Sequence, residues 1–392
     1  MDFLTNLGQT SPYPLLMEVD RAEGIFIYDK HGNAYADLIS GIAVSSLGHG
    51  HPRIKKAIHE QVERHLHVMV YGEFIQDAQM DFAQQLTSML PSSLQAVYPV
   101  NSGTEANEAA MKLVKRVTGR SEIIAFKGSY HGSTHGSMSI SYNELKKTNY
   151  RPLLPGIRFI TLNQVEDLAQ ITTATAGVIL ETIQGDAGVR IPDTSYLQAL
   201  RARCTEVGAL LVLDEIQCGL GRTGKNFAFE HYTLIPDVLT LGKSLGGGLP
   251  IGALVSSTEH MAVFKENPVL GHITTFGGHP VVCASAAAFL KVLTTEIDYA
   301  TLPKIASIFY DALIAHPEVK EIRNIGLMFA IDMESAERVE RVVKRCLEKH
   351  MITFWFLSHP YSFRLAPPLT ITEEQAYHFA QEIYQAIEET KA

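Results

Sequence analysis

Long apolar runs are missing from this chain of 392 residues. None approaches the roughly 20 apolar residues that a helix needs to cross a bilayer, so no membrane partner is expected. Cysteine is scarce as well. Cys204, Cys218, Cys283 and Cys346 are widely spaced and form no CxxC pair, which argues against a disulfide framework or a zinc site. The 16 histidines include no HExxH pattern, and His49 and His51 around Gly50 read as a structural turn before Pro52. No metal is expected. Basic clusters are absent too: lysine and arginine are scattered and the net charge is −9, which excludes nucleic acid as a main partner. The N-terminal stretch MDFLTNLGQTSPYP has no basic segment leading into an apolar one, so the reading expects a cytoplasmic protein.

What is present is an ordinary globular composition, 46 % hydrophobic and 19 % charged, on a chain long enough for one large core and a second, smaller one. From about Gln95 to Ser256, short apolar runs alternate with amphipathic stretches. The runs are Gln95 to Val100, Glu122 to Phe126, Ile157 to Thr161, Gly177 to Leu180, Ala209 to Leu213, Val238 to Leu241 and Ala253 to Ser256. With helical stretches such as Ser195 to Val207 between several of them, the pattern predicts an α/β fold with a mostly parallel central sheet. The ends differ. Residues before 46 read as extended segments and turns, with Gly32-Asn33 as a hairpin signal. After Pro280 an Ala-rich helix, Val281 to Leu293, leads into mixed helix and strand. Thr372-Glu-Glu-Gln375 opens a last helix, Glu373 to Glu389, with Ala376, Phe379, Ala380, Ile383 and Ile387 on one face. The reading therefore places a large domain at 46–279 and a smaller α+β domain at 1–45 and 280–392.

Two strand ends carry the most telling residues. Asp214 and Glu215 close the run Ala209 to Leu213, and Lys243 follows Val238 to Leu241 at the start of KSLGGGLPIGA. Open α/β sheets bind ligands outside the carboxyl ends of their strands, so both residues should face one crevice. Ser102-Gly-Thr104 stands where a strand passes into a helix, with Ser102 and Glu105 spaced as a capping box. Its amides and hydroxyls suit a phosphate at the positive end of the helix. Tyr130, in Ser129-Tyr-His131-Gly, leaves another strand end, where it could stack on one face of a planar group while Ile216 covers the other. Thr274-Thr275-Phe-Gly-Gly278 is a second hydroxyl-rich turn. A phosphate cradle, a stacking aromatic, a strand-end acid and a reactive lysine together suit pyridoxal 5′-phosphate. The lysine bonds its aldehyde, and the acid keeps its ring nitrogen protonated. Lys243 must be neutral to attack, which burial or nearby positive charge achieves.

Ordered motifs run nearly end to end: LGHGHP, NSGTEANEAAMKL, FKGSYHG, ETIQGDAGV, LDEIQCGLGRTG, TLGKSLGGGLPIGA, TTFGGHP and RLAPPLTIT. In these the chain resembles the class III (ornithine/acetylornithine-type) aminotransferases of PLP fold type I. The resemblance implies that Lys243 is the Schiff-base lysine and Asp214 the partner of the pyridine nitrogen. It implies that Gln217 lies near the phenolic oxygen, that Tyr130 and Ile216 sandwich the ring beside His131, and that Ser102, Gly103 and Thr104 hold the phosphate. Thr275 would reach the cofactor from a second subunit, which implies a homodimer. Arg364 matches the arginine that takes the α-carboxylate of glutamate and 2-oxoglutarate.

Three positions depart from the pattern. Asp186 stands where members commonly carry a glutamate that masks this arginine. Ser133 replaces the arginine of HGRT, which grips a substrate carboxylate, so a carboxylate there loses affinity unless Lys127, Arg151 or another cation substitutes. His279 replaces the asparagine of TFGGNP.

The expected activity is a transaminase moving an ω-amino group from a small amine or amino acid (ornithine-, acylornithine- or 4-aminobutyrate-like) to 2-oxoglutarate by a ping-pong mechanism. The alternatives are an aminomutase or decarboxylase of the same fold, against which Arg364 argues, and a non-catalytic PLP-binding protein.

Overall fold

A computed structural model describes residues 3–391. The chain opens with β1 (Val19–Glu23), β2 (Phe26–Asp29) and β3 (Ala34–Asp37), an antiparallel meander. The hairpin signal at Gly32-Asn33 holds in a looser form than a two-residue turn. Asp29 accepts from the amides of His31 and Asn33 and from Asn33 Nδ2, while Gly32 takes φ +86°, a region open chiefly to glycine.

Seven strands follow: β4 (Ala96–Val100), β5 (Glu122–Phe126), β6 (Ile157–Ile160), β7 (Thr175–Glu181), β8 (Leu210–Asp214), β9 (Val238–Leu241) and β10 (Gly252–Ser256). They form one sheet in the order β4-β10-β9-β8-β7-β5-β6. Only β10 runs against its neighbours; the pairs β5·β6, β5·β7, β7·β8 and β8·β9 are parallel. Every residue of β7, β9 and β10 is buried, which explains why these strands read as continuous apolar runs instead of alternating ones. The helix Gly103–Thr118 lies on the sheet through Ala106, Ala109, Ala110, Leu113 and Val114, all fully buried. Its approach is close. A Cβ on Gly177 of β7 would stand 3.0 Å from Val114. The helix Thr194–Val207 starts one residue before its sequence-based limit and stops at Gly208, with φ +70°.

The remaining strands are β11 (Glu321–Ile325), β12 (Met328–Asp332), β13 (Met351–Ile352), β14 (Phe354–Trp355) and β15 (Ser362–Leu365). β13 joins β3 in parallel, Met351 opposite Ala36, so the two ends of the chain share a sheet. The order β11-β12-β15-β14 makes a second, antiparallel one. The last helix keeps its expected limits and a complete capping box at Thr372 and Gln375, and buries the expected apolar face. Helix Pro280–Thr295 packs on helices Pro52–Arg64 and Asp77–Ser88. Fully buried Arg222 binds the carbonyls of Leu327 and Pro367 and the hydroxyl of Ser46. It thereby ties the loop after β8 to both ends of the β12–β15 segment.

Candidate cofactor and substrate site

Strands β5, β7, β8 and β9 run the same way, so the residues after their carboxyl ends meet. They meet at a cavity of about 480 Å³ lined by Gly103, Thr104, Tyr130, His131, Gly132, Ser133, Glu181, Asp186, Asp214, Ile216, Gln217, Lys243 and Arg364, with Ile42, Phe354 and Leu357 as apolar walls. That size is ordinary for a small-molecule site.

Asp214, the last residue of β8, is 4 % exposed. One of its oxygens lies 2.7 Å from His131 Nδ1 and accepts from Asn107 Nδ2 at 2.8 Å; the other accepts from the Ile216 amide at 3.0 Å. Asn107, fully buried in the first turns of helix Gly103–Thr118, also donates to the His131 carbonyl (2.8 Å) and accepts from the Thr240 hydroxyl on β9 (3.0 Å). One amide therefore locks together the helix, the segment after β5 and two strand ends. Buried carboxylates without such donors are costly.

Lys243 leaves β9 through Gly242 with φ +45°, an uncommon conformation for a side-chain-bearing residue. The turn Leu245 N to Gly242 O (3.0 Å) holds it. A Cβ on Gly242 would lie 3.3 Å from both Gly103 Cα and Ile216 Cγ2, so glycine lets the lysine turn rest on the helix start. Burial holds the Lys243 amine below the usual lysine range; Asp214 and Glu181 pull it back up, and Arg364 adds to the depression. An amine that gives up its proton more readily than usual is the better nucleophile. Glu181, at the end of β7, accepts from the amides of Tyr130 (2.8 Å) and Gly185 (3.1 Å). Burial pushes its carboxyl up to about 7. Glu215 is likewise pushed up to about 7 by burial, but it is spent on Thr182, Ala228 and Phe229 and supports the loop instead of facing the cavity.

Ser102 caps the helix, its hydroxyl accepting from the Glu105 amide at 3.3 Å. The box is half formed, because Glu105 reaches past Ser102 to the amide and side chain of Asn101. Gly103 is needed for space. A Cβ there would come within 2.8 Å of Ile216, so a larger residue would push the loop off Ile216. The Thr104 hydroxyl meets those of Thr134 (2.9 Å) and Ser137 (2.5 Å).

On the opposite wall, Arg364 of β15 is 7 % exposed, its guanidinium 4.2 Å above the Phe356 ring and its Nε without a partner among the described residues. Burial lowers its pKa and Asp186 raises it again. Asp186 touches Arg364 Nη2 at only 3.4 Å, and is held more firmly by the Ser358 hydroxyl (2.6 Å) and the Leu357 amide (3.2 Å). The shorter acid leans on the arginine without covering it.

Eleven of the sequence-derived site residues line the cavity. Ser102 stands immediately behind it as the cap, and Thr275 is exposed, away from this chain's own cavity. Sequence reasoning missed Glu181 and Asn107, although both lie inside quoted motifs, and the wall of Ile42, Phe354 and Leu357, which only the tertiary fold brings in. The departing histidine, His279, stacks on His67 with ring centroids 5.6 Å apart.

A depressed lysine amine, a multiply bonded strand-end acid, a helix start with no Cβ at its first residue and a buried guanidinium only weakly held by Asp186 suit a planar phosphorylated aldehyde and carboxylate substrates. Comparison with known proteins agrees. The family model Aminotransferase class-III matches residues 8–387, and the chain belongs to that family; it is a transaminase and uses pyridoxal 5′-phosphate. It is 37 % identical to the acetylornithine aminotransferase of Caldanaerobacter subterraneus subsp. tengcongensis, over 93 % of this chain and 92 % of the relative. To the putrescine aminotransferase of Pectobacterium atrosepticum it is also 37 % identical, over 91 % and 79 %. Among solved structures, an ornithine aminotransferase from Toxoplasma gondii with PLP at partial occupancy in its active site superposes with TM-score 0.91 at 30 % identity, covering 99 % of this chain and 93 % of that one. No helix among the described residues is long and apolar enough to cross a membrane.

Proposed function

We propose that this transaminase takes the ω-amino group of a small amine or amino acid and passes it to 2-oxoglutarate in two half-reactions, a ping-pong cycle. The convergence of Lys243, Asp214 and Arg364 on one cavity carries the reading. When bound, pyridoxal phosphate supplies a carbonyl electrophile and an electron-withdrawing ring. Lys243 Nζ would hold the cofactor covalently, and its free amine would take and return the substrate's proton, a role suited to an amine that burial holds below the usual lysine range. Asp214 would hold positive charge at the ring nitrogen, and the contacts with Asn107, His131 and Ile216 fix its carboxylate in place. The start of helix Gly103–Thr118, with Ser102 and Thr104, receives the phosphate. Gln217 would serve the phenolic oxygen, and Tyr130 and Ile216 would bracket the ring, all three lining the cavity. Arg364 binds the α-carboxylate of the oxo acid, with Asp186 as its weak competitor.

The enzyme works as a homodimer in which Thr275 of a second copy completes the phosphate site. Thr275 is exposed between Ile273 and Phe276, themselves 43 % and 56 % exposed, as an interface segment requires. The residues fall into a large cofactor-binding domain at 46–279 and a smaller one built from both ends. The four cysteines, buried and unpaired, support a cytoplasmic setting.

The test is the half-reaction. L-Glutamate added to the holoenzyme should convert the visible band of the lysine-bound cofactor to that of its amine form, and 2-oxoglutarate should reverse it. Arg364→Ala should raise KM for 2-oxoglutarate about 100-fold, the worth of a charge-assisted pair. No spectral change with L-glutamate sinks the acceptor assignment.

A further inference from the structure

The stretch 144–151 carries three cations, and two of them are committed. Lys147 donates to the Ser141 carbonyl at 2.8 Å and pairs with Glu144 at 3.2 Å; Arg151 pairs with the same Glu144 at 2.5 Å. Lys146 faces the cavity mouth instead. Its Nζ lies 3.7 Å from Asp186 Oδ2 and 5.6 Å from the centroid of the Tyr130 ring, both lining residues, and it donates no hydrogen bond to any described residue. Asp186 offsets it only in part, since that single negative charge is shared with Arg364 at 3.4 Å, and its oxygens also accept from the Ser358 hydroxyl and the Leu357 amide. Ser133 contributes only a hydroxyl, 3.2 Å from that of Tyr130. The rest of this wall, Ile42, Phe354 and Leu357, is apolar. At the mouth Lys146 and Arg364 thus share Asp186, while Glu181, the next acid of the lining, is bonded to the amides of Tyr130 and Gly185.

We propose that Lys146 is the specificity-determining cation of the amino-donor site, selecting donors with a carboxylate at the end remote from the reacting amine over diamines of the same length. The inference rests on the ω-amine reading above. A donor whose amine reaches Lys243 extends its far end past Tyr130 and Asp186 toward this ammonium. A carboxylate there gains a charge-assisted bond. The second ammonium of a diamine instead meets a like charge, and must compete with Lys146 and Arg364 for the one charge of Asp186. Because the Lys146 side chain is 37 % exposed, solvent screens the interaction and its effect is about ten-fold, below that of a buried pair.

The experiment compares single-turnover efficiencies of the holoenzyme with 4-aminobutyrate and 1,4-diaminobutane. Wild type should favour 4-aminobutyrate. Lys146→Gln should lower that preference about ten-fold, Lys146→Arg should keep most of it, and Lys146→Glu should reverse it. An unchanged ratio in Lys146→Gln, or a wild type that favours the diamine, overturns the assignment of Lys146 and leaves the ω-amine reading intact. If neither probe reacts while L-ornithine does, the assignment of Lys146 is overturned and the ω-amine reading stands; if neither the probes nor L-ornithine react while L-glutamate does, the ω-amine reading falls and this inference with it. Cofactor absorbance in each variant verifies that the site is assembled.

Discussion

Asn107→Ala would remove one small side chain and disconnect four parts of the site. The amide is fully buried and makes three hydrogen bonds, to the Asp214 carboxylate, the His131 carbonyl and the Thr240 hydroxyl. Water cannot replace it without a cavity large enough to admit one. A neutral buried bond is worth about 1 kcal/mol and one to a carboxylate about 2, so the variant should lose roughly 4 kcal/mol of stability. Urea unfolding of wild type and variant, both stripped of cofactor so that binding does not mask the difference, measures this. A merely structural residue would stop there. Because Asp214 would then be held only by His131 and the Ile216 amide, kcat and cofactor affinity should each fall about ten-fold in the refolded holoenzyme. Asn107→Asp sharpens the test. It keeps the shape but sets a second carboxyl against Asp214, where one of the two must stay protonated. Its activity should therefore decline with rising pH more steeply than that of wild type. Unfolding energies within about 0.5 kcal/mol of each other, or a large stability loss with kcat and cofactor affinity unchanged, would refute the clamp.

Two further outcomes follow from the geometry. Gly103→Ala places a methyl 2.8 Å from Ile216 and should weaken cofactor binding about ten-fold, while adding Ile216→Ala should restore most of the loss; fluorescence titration of the single and double variants reads the coupling. Lys243→Met should stabilise the cofactor-free protein at neutral pH. A lysine whose folded pKa is depressed by burial is penalised in full below that pKa, and the penalty vanishes as pH rises toward the ordinary value of 10.5. The gain, read from thermal unfolding, should shrink with rising pH; a constant gain would mean that Lys243 is not depressed.

The seven strands of the main sheet were legible because each is a local apolar run that needs no knowledge of its neighbours, the inner ones buried on both faces and only the edge strands β4 and β6 half-buried. Lys243 and Asp214 were legible for a related reason: a residue just after a buried strand has its position set by that strand. Asn107 was hidden by its role. An asparagine on a helix declares its partners only when the His131 segment and β8 arrive beside it. The outer wall was harder still. β13 and β14 are two residues each, too short for any periodicity, yet Phe354 and Leu357 come from this region. The loosened contact between Asp186 and Arg364 depends on Ser358, far away in sequence. Lys146 precedes two other cations, Lys147 and Arg151, that look the same on paper, and only the placement of Glu144 separates them.

The central claim is that Lys243 and Asp214 face one cofactor across a single cavity. Borohydride reduction of the holoenzyme, followed by peptide mass spectrometry, tests it most directly. The cofactor's mass should be fixed on the peptide carrying Lys243, and should disappear from that peptide when L-glutamate is added first. Label on another lysine, or on Lys243 regardless of L-glutamate, would contradict the account.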